Sequence, residues 1–196
     1  LQPRNDLTAK DAKAARSRNR ILRGFEFLLC VLGDLCGEQE LTMSQRTLES
    51  PDALKDLVGQ EIAVTSWFNV TQERIQQFAD ATLDHQWIHV DVDRARRESP
   101  FKAPIAHGFL TLSLLPHFMH EALQIRQGVR LGVNYGLNRV RFVSPVPAGS
   151  NIRARIVLQS LKDVQDGMEA VFNATVELEG GAKPACVAEW VARYYR

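Results

Sequence analysis

Cysteine is scarce in this 196-residue chain, and what there is does not pair. Cys30, Cys36 and Cys186 are odd in number and contain no CxxC spacing. Neither a disulfide framework nor a zinc ribbon is indicated, and a reducing cytoplasm is the simpler setting. An excess of charge of one sign is also missing. A formal net charge of +1 gives no general attraction to nucleic acid or to an acidic membrane surface, so an anionic ligand has to be met by local groups. No membrane span is expected, because the richest apolar stretch, 108–123, has only sixteen residues and carries His117, His120 and Glu121. No GxSxG elbow, GxGxxG turn or GxxxxGK[ST] loop occurs, which leaves serine-hydrolase, dinucleotide and P-loop readings without a motif. HExxH and clustered cysteines are absent too. A metal reading would have to use His85 and His89 with Asp84 or His107, and no metal is expected there.

What is present is ordinary for a globular protein. With 45% hydrophobic and 24% charged residues, the length suggests one domain with a real core. The first 42 residues differ from the rest: Lys10, Lys13, Arg16, Arg18, Arg20 and Arg23 precede an apolar patch, 25–35. That order resembles a targeting peptide, but Glu26 and Asp34 interrupt the patch and no small-residue cleavage site follows. Residues 1–42 are expected to be a dispensable leader ahead of Met43, or else an appended helix over 9–35. The sequons at Asn69 and Asn173 would matter only after secretion and are read as chance.

The chemistry-bearing residues concentrate in 78–115. Asp84 and His89 stand five residues apart in a mixed segment, DHQWIH, that fits neither a strand nor an amphipathic helix, as a loop holding a site tends to read. A carboxylate and an imidazole aimed at one point are what proton transfer near neutral pH needs. The bland alternative is that Asp84 caps a turn and a histidine packs on Trp87. Downstream, His107-Gly108 opens a helix whose free first-turn amides could receive developing negative charge. The corresponding bland reading is a glycine kept for close packing.

Around this stretch the pattern is α+β. Leu54, Leu57 and Val58 fit a short helix ending at Gly59, and a strand is expected from Ile62 to Phe68. Thr71 reads as an N-cap, with Val70 and Ile75 as a hydrophobic staple, for a helix that delivers the chain to Asp84. A short polar helix follows over 92–98. Pro100 and Pro104 then force an extended passage into the apolar helix 108–123, which Pro116 should kink or break near 112–116. Strands follow. The phase change between Leu137 and Val140 requires a bulge near 136–138, and turns fall at 145–149, 166–167 and 180–181. One apolar helix and about five antiparallel strands imply a sheet curled around the helix. Arg139, Arg141, Arg153 and Arg155 alternate with apolar residues on what read as adjacent strands, either a solvated sheet face or a phosphate site.

FADATLDHQWIHVDVDRA followed by SPFKAPIAHGFLTLSLLP closely resembles the hydratase motif of the MaoC-like dehydratases, the (R)-specific enoyl-CoA hydratase family, particularly its NodN-like branch. NYGLNRVRFVSPVPAGSNIRARI looks like that family's strand and turn region. The resemblance covers roughly residues 53–196, placing one MaoC-like domain at 43–196. It implies a hotdog fold, a curved antiparallel sheet around one long central helix, paired as a homodimer. It also implies reversible addition of water to a trans-2-enoyl thioester carried by CoA or acyl carrier protein, with no cofactor. By resemblance Asp84 and His89 are the catalytic pair, Gly108 supplies the N–H for the thioester oxygen, and the arginines are candidate CoA phosphate contacts. Phe109, Leu110 and Leu112 are candidates for the acyl tunnel. A hotdog acyl-CoA thioesterase and a non-catalytic acyl-CoA-binding module are the alternatives.

Overall fold

Strict alternation of apolar residues builds the sheet. In the computed structural model, which describes residues 45–196, the strands are β1 (Arg46–Leu48), β2 (Glu61–Val64), β3 (Phe68–Asn69), β4 (Leu123–Ile125), β5 (Leu131–Phe142), β6 (Asn151–Val164), β7 (Gly167–Leu178) and β8 (Cys186–Tyr195). The leader and its suggested helix lie outside the described residues. Ile152, Ala154, Ile156 and Leu158 of β6 are all buried, with the intervening residues half-buried, so one face of the strand looks inward. β7 and β8 repeat the pattern through Ala170, Phe172, Ala174 and Val176, and through Cys186, Ala188 and Trp190. β6, β7 and β8 form an antiparallel meander within the order β2-β6-β7-β8-β5, and β3 adds to β6. β1 and β4 make a separate parallel pair.

The helices are α1 (Gln72–Thr82), α2 (Trp87–Val90), α3 (Val92–Glu98), α4 (Gly108–Ser113) and α5 (Leu115–Ala122), preceded by a 3-10 helix, Pro51–Leu57. The expected break is at Leu114, with Pro116 in the first turn of α5, where its missing N–H costs no helix bond. Leu115, Phe118 and Met119 join Ile156, Phe172 and Trp190 in one core. Each such large side chain, fully buried, contributes about 1.5–3 kcal/mol. The side chain of Thr71 accepts the amide of Arg74 at 3.2 Å, and Val70 and Ile75 are both buried, as the staple required. The expected bulge is also present, with register shifts in β5 at 134/136 and 137/139.

Three expectations are corrected. The strand expected over 62–68 is two strands. Thr65 turns inward, its Oγ1 accepting the Ala154 amide and its own N–H donating to the Ala154 carbonyl, both at 2.9 Å. With those groups satisfied locally, the chain leaves the ladder and rejoins it at Phe68. DHQWIH is not wholly a loop, because α2 forms one turn inside it. The Asp84 carboxylate accepts the Gln86 amide at 3.4 Å, and the Gln86 carbonyl accepts the His89 amide at 2.9 Å, which nucleates that turn. Finally, β5 and β6 are not adjacent, since β7 and β8 lie between them. The 143–150 connection is a crossover rather than a hairpin: Ala106 donates to Val146 at 2.8 Å and Ala148 to Pro104 at 2.9 Å, which ties it to the segment entering α4. Arg139 and Arg141 are thereby separated from Arg153 and Arg155.

Candidate active site

The peptide of Ile105 is the clamp of the site. Its N–H donates to the Ile88 carbonyl at 3.1 Å, and its C=O lies 2.6 Å from Nδ1 of His89. A carbonyl only accepts, so Nδ1 carries the proton and Nε2 of His89 is left as a lone pair. The His89 carbonyl is held by Nε2 of Gln72, at the start of α1, at 2.7 Å. Two residues beyond Ile105, His107 stacks its ring on that of His89, with centroids 3.8 Å apart and planes at 26°. Nε2 of His107 donates to the main-chain carbonyl of Asp84 at 2.9 Å. Asp84, His89 and His107 each place one polar side-chain atom within 4.8 Å of the others. The sequence-predicted pair is thus brought together, with His89 buried and the Asp84 side chain 55% exposed.

Burial holds the His89 pKa below its ordinary value; the Ile105 carbonyl and Asp84 oppose this, and His107 adds to it. His89 is therefore a neutral base with a fixed tautomer at neutral pH. The metal-ligand combination weighed from the sequence used His85, which pairs instead with Asp80; the set that comes together is Asp84, His89 and His107.

Gly108 begins α4, and an added Cβ would lie 2.7 Å from the Phe142 ring, so close packing alone requires glycine. Its N–H belongs to the first turn, whose amides have no partner within the helix. His85 is turned away, pairing with Asp80 at 2.9 Å on the exposed surface. The arginines divide: Arg153 binds Glu177, Arg155 binds Glu61 and Glu177, while Arg139 and Arg141 line a shallow cavity with Glu189 and Thr175 on the outer sheet face. Leu110 faces the core. Phe109 is exposed against Phe142, and Leu112 lines a cavity. That cavity, about 370 Å³, shares Pro116, Asn134 and Trp190 with a second of about 390 Å³ that continues to Met119, Leu123 and Val133. Sequence reasoning missed Gln72, for which no signal exists. It also left His107 without a role, although the histidine's place immediately before Gly108 was a usable signal.

An antiparallel sheet wrapped on a helix, with a carboxylate and a neutral imidazole clamped beside that helix's start, defines a hotdog protein equipped for hydro-lyase chemistry. A family model described as MaoC-like domain matches residues 54–180, and the chain belongs to that family. It is 50% identical over 150 residues to 3-hydroxyacyl-thioester dehydratase Z of Mycobacterium tuberculosis, covering 76% of this chain and 98% of that one. Nodulation protein N of Rhizobium meliloti is 45% identical over 140 residues, 71% of this chain and 87% of that protein. Among solved structures, the A. caviae (R)-hydratase involved in PHA biosynthesis superposes with a TM-score of 0.56 at 25% identity, covering 69% of this chain and 94% of the other. An Archaeoglobus monoamine oxidase regulatory protein gives 0.63 at 23%, covering 79% and 99%, a likeness of fold. The protein is an enzyme of the hydratase/dehydratase kind.

Proposed function

We propose that the reaction is reversible addition of water to a trans-2-enoyl thioester, giving the (R)-3-hydroxyacyl thioester. The observation that supports it most directly is the convergence of Asp84 with the neutral, tautomer-fixed His89. In the hydration direction Asp84 orients the water and takes its proton as the oxygen bonds to Cβ. That proton moves from Asp84 to the Nε2 lone pair of His89, which shares the water, and from Nε2 to Cα, so both groups end as they began. The balance needs no electron acceptor, hence no redox cofactor. The Gly108 N–H receives the charge that builds on the thioester oxygen; losing one such donor typically costs about 2.7–4 kcal/mol of barrier.

The paired cavities along α4 and α5 take the acyl tail. They run beside helices that together span fourteen residue steps, from 108 to 122, about 21 Å. β5 is the sheet edge, and Leu131, Tyr135 and Leu137 on it are exposed, so it is the surface on which a second copy would pair to form a homodimer. For the CoA phosphates, Arg139 and Arg141 are better placed than Arg153 and Arg155, whose guanidinium groups are already engaged by Glu177 and Glu61. CoA and acyl carrier protein both present the same thioester. The buried free thiol of Cys186 fits a cytoplasmic setting. Described helices include none long and apolar enough to cross a membrane.

Incubation with crotonyl-CoA separates the readings. Loss of conjugated enoyl absorbance without free CoA is hydration, release of CoA is the thioesterase alternative, and neither change leaves a binding module.

A further inference from the structure

His107 is placed where it touches every part of the site, and packing does not account for its being a histidine. Its side chain is only 3% exposed. Nε2 is engaged by the Asp84 carbonyl, and Nδ1 is buried with no partner in the chain. Leaving a polar nitrogen buried and unbonded lowers stability, whereas an apolar ring of the same shape would be buried without that penalty. The ring's other neighbours are apolar or aromatic: Phe78 lies against it at 5.1 Å, tilted by 52°, and His89 covers a face. Its hydrogen bond and its stacking contact both lead to the reacting groups. One holds the main chain of Asp84, one fixes the plane of His89, and the next residue in the chain is Gly108.

Resting on the hydratase reading, we propose that His107 is the positioning residue of this enzyme, a ring that holds the Asp84 backbone by its Nε2–H and sets the His89 plane by stacking. It thereby fixes base, acid and oxyanion donor relative to one another. The titratable groups beside His89 are Asp84 and His107; Gln72 and the Ile105 carbonyl supply its remaining polar contacts. A positional error of about 1 Å at such a site can cost about 10²-fold in rate, so a device with no contact to substrate still governs turnover.

The test compares His107→Phe, which keeps a ring and loses the donor, with His107→Gln, which keeps an amide donor and loses the ring. Both are assayed with crotonyl-CoA beside wild type and Asp84→Asn, with activity expressed per folded protein from thermal melts. The Phe variant should melt no lower than wild type while turnover falls about tenfold or more and the Michaelis constant stays within about twofold. His107→Gln should recover part of that turnover. In both variants the acid limb of the rate profile should move to higher pH, because His107 is one of the neighbours that hold the His89 pKa down. Turnover within twofold of wild type in the Phe variant would overturn the proposal. So would a loss of activity matched by a lower melting temperature with an unmoved pH profile, which is what a merely structural histidine would give. If wild type itself hydrates nothing, the hydratase reading fails. If wild type is active, Asp84→Asn is dead and both His107 variants are untouched, only the positioning role fails. Should the Phe variant not fold, His107→Gln alone decides by the same profile shift.

Discussion

Leu83 sits at the C-terminus of α1 with φ 60° and ψ 21°, in the left-handed region, one residue before Asp84. For an L-residue with a Cβ that conformation costs roughly 1–2 kcal/mol, and glycine avoids it. The side chain is 81% exposed, so little burial offsets the cost. Leu83→Gly removes the strain but adds freedom to the unfolded chain, a counter-effect of about 0.4–1 kcal/mol. The net should be a gain of roughly 0.5–1 kcal/mol, which for a chain of this size raises Tm by about 1–4 °C. Scanning calorimetry and urea unfolding measure it, with Leu83→Ala as control. Alanine keeps the Cβ and so keeps the strain, and should gain nothing. Hydration of crotonyl-CoA should stay within about threefold, since the Asp84 backbone is still held by His107 and its carboxylate by the Gln86 amide. If glycine lowers Tm, or alanine raises it as much as glycine does, the strain argument is wrong.

Asp84→Asn and His89→Gln should each lower turnover by about 10²-fold or more with little loss of folding. The double variant should be far less impaired than the product of the two, as groups acting on one water behave as a unit, whereas His85→Gln should keep most activity because its ring pairs with Asp80. Met119→Trp, filling the cavity along α5, should raise the Michaelis constant for a dodecenoyl thioester at least about tenfold and leave crotonyl-CoA nearly unchanged; equal effects on both would remove the acyl tail from that groove. His89 is held below its ordinary value of 6.5, so its contribution to stability is complete above about pH 6.5 and is lost as pH falls through the folded-state value. His89→Gln should flatten that part of the stability profile, and an unaltered slope would assign it to other groups. A chain starting at Met43 should fold and remain active, and an insoluble product would make residues 1–42 part of the fold.

The parts of this structure that sequence made legible are those where one residue's chemistry decides the local outcome. Thr71 caps because its hydroxyl reaches an orphan amide, Pro116 breaks the helix because it lacks an N–H, and the change of phase between Leu137 and Val140 demands a bulge. What stayed hidden depends on partners far away in the chain. β5 and β6 are consecutive and look like a hairpin, yet β5 finds its ladder on β8, and only the bonds from Pro104 and Ala106 to the crossover show why. Likewise, nothing in the identity of Gln72 announces that its amide will hold the His89 carbonyl seventeen residues on.

The site's legibility has a different origin from that of the fold. Asp84 and His89 were readable as a pair because their spacing is fixed, and the spacing is fixed because main-chain groups do the holding. The Gln86 carbonyl closes the turn of α2, the Ile88 carbonyl and the His89 ring grip one peptide at Ile105, and the Asp84 carbonyl receives His107. Main-chain groups tolerate many side chains but no insertion. One residue added between Asp84 and His89, or between Ile105 and Gly108, would put an imidazole or an amide on the wrong side of a clamp it no longer fits. An insertion of that kind should abolish activity even where it leaves the core formed by α5 and the sheet intact, whereas an equal insertion at the exposed 180–181 turn has no clamp to break.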